Sequence, residues 1–175
     1  MPDDSPAVRT AAHIPFSPAR APVFYGWAIL GLGTLGVLMS VPGQTIGVSP
    51  FTEPLMAALG LSRVRLSLAY MIGTIGSSLL LVPAGRLYDR FGARVVGTIS
   101  CVVLGGVLLA LSRCDVLARR LADLVGPGHA TAAAFATILV GFFALRFSGQ
   151  GVLTLVSRNM VMKWFDRRRG LASGA

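Results

Sequence analysis

A chain of 175 residues with 54% hydrophobic and 13% charged side chains, 21 glycines and a mean hydropathy of +0.71 is too apolar for an ordinary soluble domain. A net charge of +9 would suit nucleic acid if the basic residues shared one folded face. They fall instead in short clusters between apolar runs, which excludes nucleic acid as the partner and leaves the lipid bilayer in that role.

Residues 1–23 carry Pro2, Pro6, Pro15, Pro18 and Pro22 with few large apolar side chains, which predicts a disordered tail. It is no secretory signal, because the apolar run behind it is too long and lacks a cleavage site. A helix rising 1.5 Å per residue needs about 20 apolar residues to cross the hydrocarbon core. Four charge-poor runs meet that need, at about 24–47, 66–84, 94–112 and 132–157. The expected fold is all-α: a polytopic membrane bundle of four complete spans, with a fifth helix starting near 169.

In the first run, Gly31 and Gly33 suit close helix contact, and Pro42-Gly43 should bend or unwind the helix near its outer end. Gln44 and Thr45 follow that break. They either meet a ligand with freed backbone or simply end the span. In the second run Tyr70, Thr74, Ser77 and Ser78 fall on one helical face, lining a water-filled cavity or bonding to a neighbouring helix. Next comes "GRLYDRFGAR" at 85–94, read as a turn between two spans. Gly85 would cap the second span in a left-handed conformation, with Arg86 beside the negative end of its dipole. Asp89 would cap the third helix, Gly92 permit the tight turn, and Arg94 stay at the surface.

Gly97, Cys101 and Gly105 in the third span repeat every four residues, a helix-packing pattern. Cys101 and Cys114 lie roughly 20 Å apart at helical rise and cannot pair. The connection 113–131 has room for a short surface helix from Asp115 to Val125, stopped at Gly126-Pro127-Gly128. The fourth run holds Arg146, the one charged residue inside a span, with Gln150 and Ser157 expected on its face. A mid-bilayer arginine costs about 2.5–3.5 kcal/mol on insertion scales, so it must face protein or water. It acts there on a substrate or coupling step, or it clamps neighbouring helices.

Orientation follows from the basic residues of the connections. With the amino terminus inside, Arg9, Arg20, Arg86, Arg90, Arg94, Arg158, Lys163 and Arg167 to Arg169 lie on the cytoplasmic side, against Arg63, Arg65, Arg113, Arg119 and Arg120 outside. Tyr25, Trp27, Trp164 and Phe165 suit anchors at headgroup level. His13 and His129 lack the neighbours of a metal site or catalytic dyad, and no phosphate-binding glycine loop occurs. Neither an enzyme nor a cofactor is indicated.

The G-x-x-x-D-R-x-G-x-R spacing of Gly85, Asp89, Arg90, Gly92 and Arg94, directly after a second apolar run, resembles the signature loop of the major facilitator superfamily. "FYGWAIL", "GQTIGVSPF", "RFSGQGVLTLVSRNMVMKWF" and "RRRGLASGA" are similar to its bacterial monocarboxylate-transporter-like branch, with the oxalate/formate-antiporter-like branch a near neighbour. The resemblance implies secondary transport of a small solute by alternating access at an inner (plasma) membrane. It also implies two six-helix halves with three-helix inverted repeats. On that plan the chain supplies an amino-terminal portion, and its partners are the solute, the bilayer and a carboxy-terminal half or further copies. By itself it should not transport. The fourth helix departs from the pattern: a glycine is expected four residues after the arginine, and here Gly149 and Gly151 flank Gln150 instead. No span holds Asp or Glu, so the pathway arginine favours an organic anion such as a monocarboxylate. The alternative is a self-contained four-span protein acting through oligomerisation.

Overall fold

The computed structural model describes residues 25–164, and these are helical with no strand among them. The tail 1–23 with His13, Phe165, residues 167–169 and the expected fifth helix lie outside the described residues, as do the side chains of Tyr25, Lys163 and Trp164. Helix α1, Tyr25–Met39, leads into a single 3-10 turn at Val41–Gly43. Short helix α2, Thr45–Val48, a second 3-10 turn at Ser49–Phe51 and α3, Thr52–Leu59, follow. Pro42 lacks an amide hydrogen and interrupts the ladder, so the first run bends by 50° between Trp27–Gly43 and Thr45–Leu59.

Ser62 accepts a hydrogen bond from the Arg65 amide at 3.4 Å and starts α4, Arg63–Leu79, three residues before the expected span. Pro83 then decides where α4 stops. It offers no amide hydrogen to the Leu79 carbonyl four residues back, and the helix breaks at Leu80. A second helical stretch, α5, is assigned over Leu81–Leu111 but divides at Gly92, whose φ of 77° and ψ of 170° no helix contains. The "GRLYDRFGAR" segment is therefore mostly helix. Gly85 has no left-handed conformation and caps nothing, and Asp89 lies within a helical stretch instead of at an N-cap. Only Gly92 makes the turn.

Helix α6, Cys114–Val125, fills the connection where a short helix was expected and stops at Gly126. Helix α7, Ala130–Leu145, passes without a gap into a π-helix, Arg146–Leu153, and then into α8, Thr154–Trp164. This composite rod is longer than the run 132–157. Among the described residues, two helices are long and apolar enough to cross a membrane, Leu81–Leu111 and Ala130–Met162, and the bent first pair adds a third only if its two parts form one span. The second expected run does not qualify as one helix, because Pro83 splits it.

The fourth rod is the hub. Its amino-terminal half packs on α4 and α6 through Leu66, Ala69, Cys114, Ala118, Ile138 and Phe142. Its carboxy-terminal half meets α5 through Ala84, Val96, Val152 and Val156, and α8 lies along α1. Not every glycine expected to pack does so. Gly33 lies against Val161 and Gly97 against Val156, whereas Gly31 and Gly105 face open space and Cys101 is exposed.

Candidate functional site

The two interrupted helices meet each other. A Cβ placed on Gly43 would lie 2.7 Å from the Leu145 carbonyl oxygen and 2.9 Å from the Gly149 Cα, so backbone touches backbone where the 3-10 turn crosses the π-helix. Just inside this crossing Ser40, with 0% exposure, gives its hydroxyl to the Val37 carbonyl at 2.6 Å. It accepts from the Gln44 amide at 2.9 Å and from Thr154 at 3.1 Å. On the opposite side the buried Ser100 of α5 donates to the Ser148 carbonyl at 2.7 Å. A widened helix leaves backbone groups in need of partners; Ser100 serves the Ser148 carbonyl, and Thr154 Oγ1 lies 3.4 Å from that of Gly149.

At the first residue of the π-helix, Arg146 projects toward α4 and the bent end of the first pair. Its Nη1 donates to the Tyr70 hydroxyl at 2.5 Å and to Thr45 Oγ1 at 3.4 Å, and those two oxygens are themselves 2.9 Å apart. The guanidinium carbon stands 5.0 Å from the centre of the Tyr70 ring, close enough for a cation–π contact. Phe142 abuts that ring edge-on at 5.3 Å and fixes its plane. The arginine is half-buried and Thr45 is exposed. Among the described residues neither of the two ion pairs, Arg63 with Glu53 and Arg119 with Asp115, involves Arg146. Its hydrogen-bond partners are neutral oxygens, which orient the cation without cancelling its charge.

The structure thus gathers Arg146, Tyr70 and Thr45 from three separate stretches. It does not gather the rest of the expected set. Gln44 turns back to Ser40; Thr74 and Ser77 bond to carbonyls of their own helix, at Tyr70 and Thr74. Ser78 bonds to Ile75 on the exposed side. Gln150 is exposed and Ser157 is buried beside Gly36, and among the described residues neither makes a hydrogen bond to Arg146. The 100° step of an α-helix does not hold through the π-helix Arg146–Leu153, so a projection from Arg146 to Ser157 does not carry across it. The signature-loop residues Gly85, Asp89, Arg90 and Arg94 lie at the other end of the bundle, around the Gly92 turn.

Sequence reasoning missed Ser40, Ser100, Thr154 and the π-helix itself. One signal was present: "SGQG" at 148–151 places two helix-weakening glycines within an apolar run.

Apolar rods with broken segments crossing at a lone cation define a helical membrane protein with a polar interior site. A sequence profile described as Major Facilitator Superfamily matches residues 30–175, and the chain belongs to that superfamily, whose members are transporters and not enzymes. No curated protein and no solved structure gives a match. Within the π-helix the Gly151 Cβ position lies 3.4 Å from the Arg146 carbonyl oxygen.

Proposed function

We propose that this chain contributes one wall of a secondary transporter for a small organic anion, a monocarboxylate being the best-fitting class. The observation that carries this reading is Arg146, which is half-buried, held by Tyr70 and Thr45, and has no carboxylate partner among the described residues. An arginine fork bonds a carboxylate through two parallel N–H groups, and a low-dielectric surrounding strengthens that attraction. The solute would take the side of the guanidinium that Tyr70 leaves open, and the exposed Thr45 would give it a hydroxyl. The similarity of several stretches to the monocarboxylate-transporter-like branch points the same way.

Alternating access needs helices that rearrange against an opposing set. In this reading the opposing wall comes from the superfamily's remaining helices, and the stretches on either side of Gly92, 63–91 and 93–111, cross the bilayer separately, giving four spans. The amino terminus and the basic turn at 85–94 face the cytoplasm of an inner (plasma) membrane. The test is uptake by cells expressing the complete gene product. Arg146→Ala should abolish uptake of labelled small carboxylates while surface expression persists, and unchanged uptake would remove Arg146 from the mechanism.

A further inference from the structure

The structure carries a second, separate concavity of about 490 Å³ between the end of α5, helix α6 and α7. Its lining includes Leu111 and Val140, together with the α6 face made by Leu117, Leu121 and Leu124, spaced i, i+4, i+7. Arg120 is the only charged residue in the lining. It is exposed and makes no ion pair among the described residues, unlike Arg119, which is tied to Asp115 on the far side of the same helix. Helix α6 thus has three faces. Cys114 and Ala118 are buried against α7, Asp115 and Arg119 form a polar edge, and of the leucine row Leu117 and Leu124 are exposed, Leu124 to 84%, with Leu121 half-buried. The groove runs into the exposed apolar flanks of α5 and α7 at Leu109 and Val140, surfaces that in a membrane protein meet lipid.

We propose that this groove is a binding site for one anionic phospholipid, its acyl chain along the leucine row and its phosphate on Arg120. An apolar trough with one cation in its lining matches an amphiphile whose single negative group sits at the end of a hydrocarbon chain. The apolar row with basic residues beside it is the pattern of a helix lying at a membrane surface. The occupant would lock α6 against the amino-terminal half of the hub helix, whose continuation bears Arg146.

The experiment takes the full chain in nanodiscs of mixed phosphatidylglycerol and phosphatidylcholine with identical acyl chains. Retained lipids are then counted by native mass spectrometry after mild detergent extraction. The wild type should keep one phosphatidylglycerol in preference to phosphatidylcholine by about fivefold, the electrostatic share of one basic residue near an anionic surface. Arg120→Gln should erase the preference and Arg120→Lys should keep it. Ala136→Trp, which fills the groove, should lower retention of both lipids, with circular dichroism confirming unchanged helix content. Equal retention of the two lipids by the wild type, or a preference that survives Arg120→Gln, overturns the proposal. A dimeric mass that Ala136→Trp dissolves would give the groove to a second copy and overturn it too.

Discussion

Replacing Gly43 by alanine tests the crossing of the two interrupted helices. The added methyl would stand 2.7 Å from the Leu145 carbonyl oxygen, 2.8 Å from the Gln150 nitrogen and 2.9 Å from the Gly149 Cα. All three are backbone atoms, so no side chain can swing aside and one helix must move. Overpacking of this kind costs about 1–3 kcal/mol, and the lower unfolded-state entropy of alanine returns about 0.4–1 kcal/mol. The net loss is about 1–2 kcal/mol, which for a chain of this size lowers the melting temperature by roughly 2–8 °C. Gly105→Ala is the control: it is helical, nothing lies within 4 Å of its Cβ position, and alanine is the better helix former by about 0.8–1 kcal/mol. Thermal melts of purified protein in detergent should therefore separate the two variants in opposite directions. Gly149→Ala should behave like Gly43→Ala, and the double variant should depart from additivity because the two glycines face each other. If Gly43→Ala melts with the wild type, the backbone contact is not what joins the two helices.

Three further outcomes follow from the same geometry. Tyr70→Phe keeps the ring beside Arg146 but removes the hydroxyl shared with Thr45; carboxylate uptake should fall by about tenfold or more, from a hydrogen bond to a charged group worth about 1.5–3 kcal/mol. Wild-type kinetics in that variant would show that the ring alone positions the cation. Gly92→Ala should lower the melting temperature through strain of about 1–3 kcal/mol, although nothing crowds its Cβ, while Gly85→Ala should not. Equal melts for the two would place the turn elsewhere. Burial pushes the Cys114 thiol up from its ordinary pKa, so at neutral pH it stays protonated as well as shielded. Maleimide should modify it slowly in the folded protein and fully in denaturant, and rapid labelling of native protein would mean that α6 is not docked.

The all-helical membrane class was legible because hydrocarbon thickness and a lack of charge are one-dimensional signals. The Pro42-Gly43 break and the stop at Gly126 were legible for the same reason, since proline and glycine act locally. Pro83 is just as visible, but inside an apolar run of spanning length a proline does not by itself tell a kink from a stop, and here the helix breaks at Leu80. Arg146 stood out as a charge within a span, and Tyr70 and Thr45 as polar residues of other runs. That the three converge depends on a 50° bend and a π-helix, which no fixed periodicity encodes. Projecting Ser157 onto Arg146's face assumes one fixed periodicity through that π-helix, which it does not have. Ser40 and Ser100 escaped notice because a serine in an apolar run gives no sign of the carbonyl or amide it will meet across the bundle.

The measurement closest to the central claim is equilibrium binding of a small carboxylate to the complete gene product in nanodiscs, with wild type, Arg146→Lys and Arg146→Gln side by side. Formate, lactate and oxalate serve as probes, and neutral alcohols of the same size as controls. The wild type should bind at least one of the acids saturably and none of the alcohols. Arg146→Lys should weaken that binding, and Arg146→Gln should lose at least about tenfold in affinity. Undiminished carboxylate binding in a folded Arg146→Gln protein would contradict the assignment of Arg146 as the group that recognises the solute.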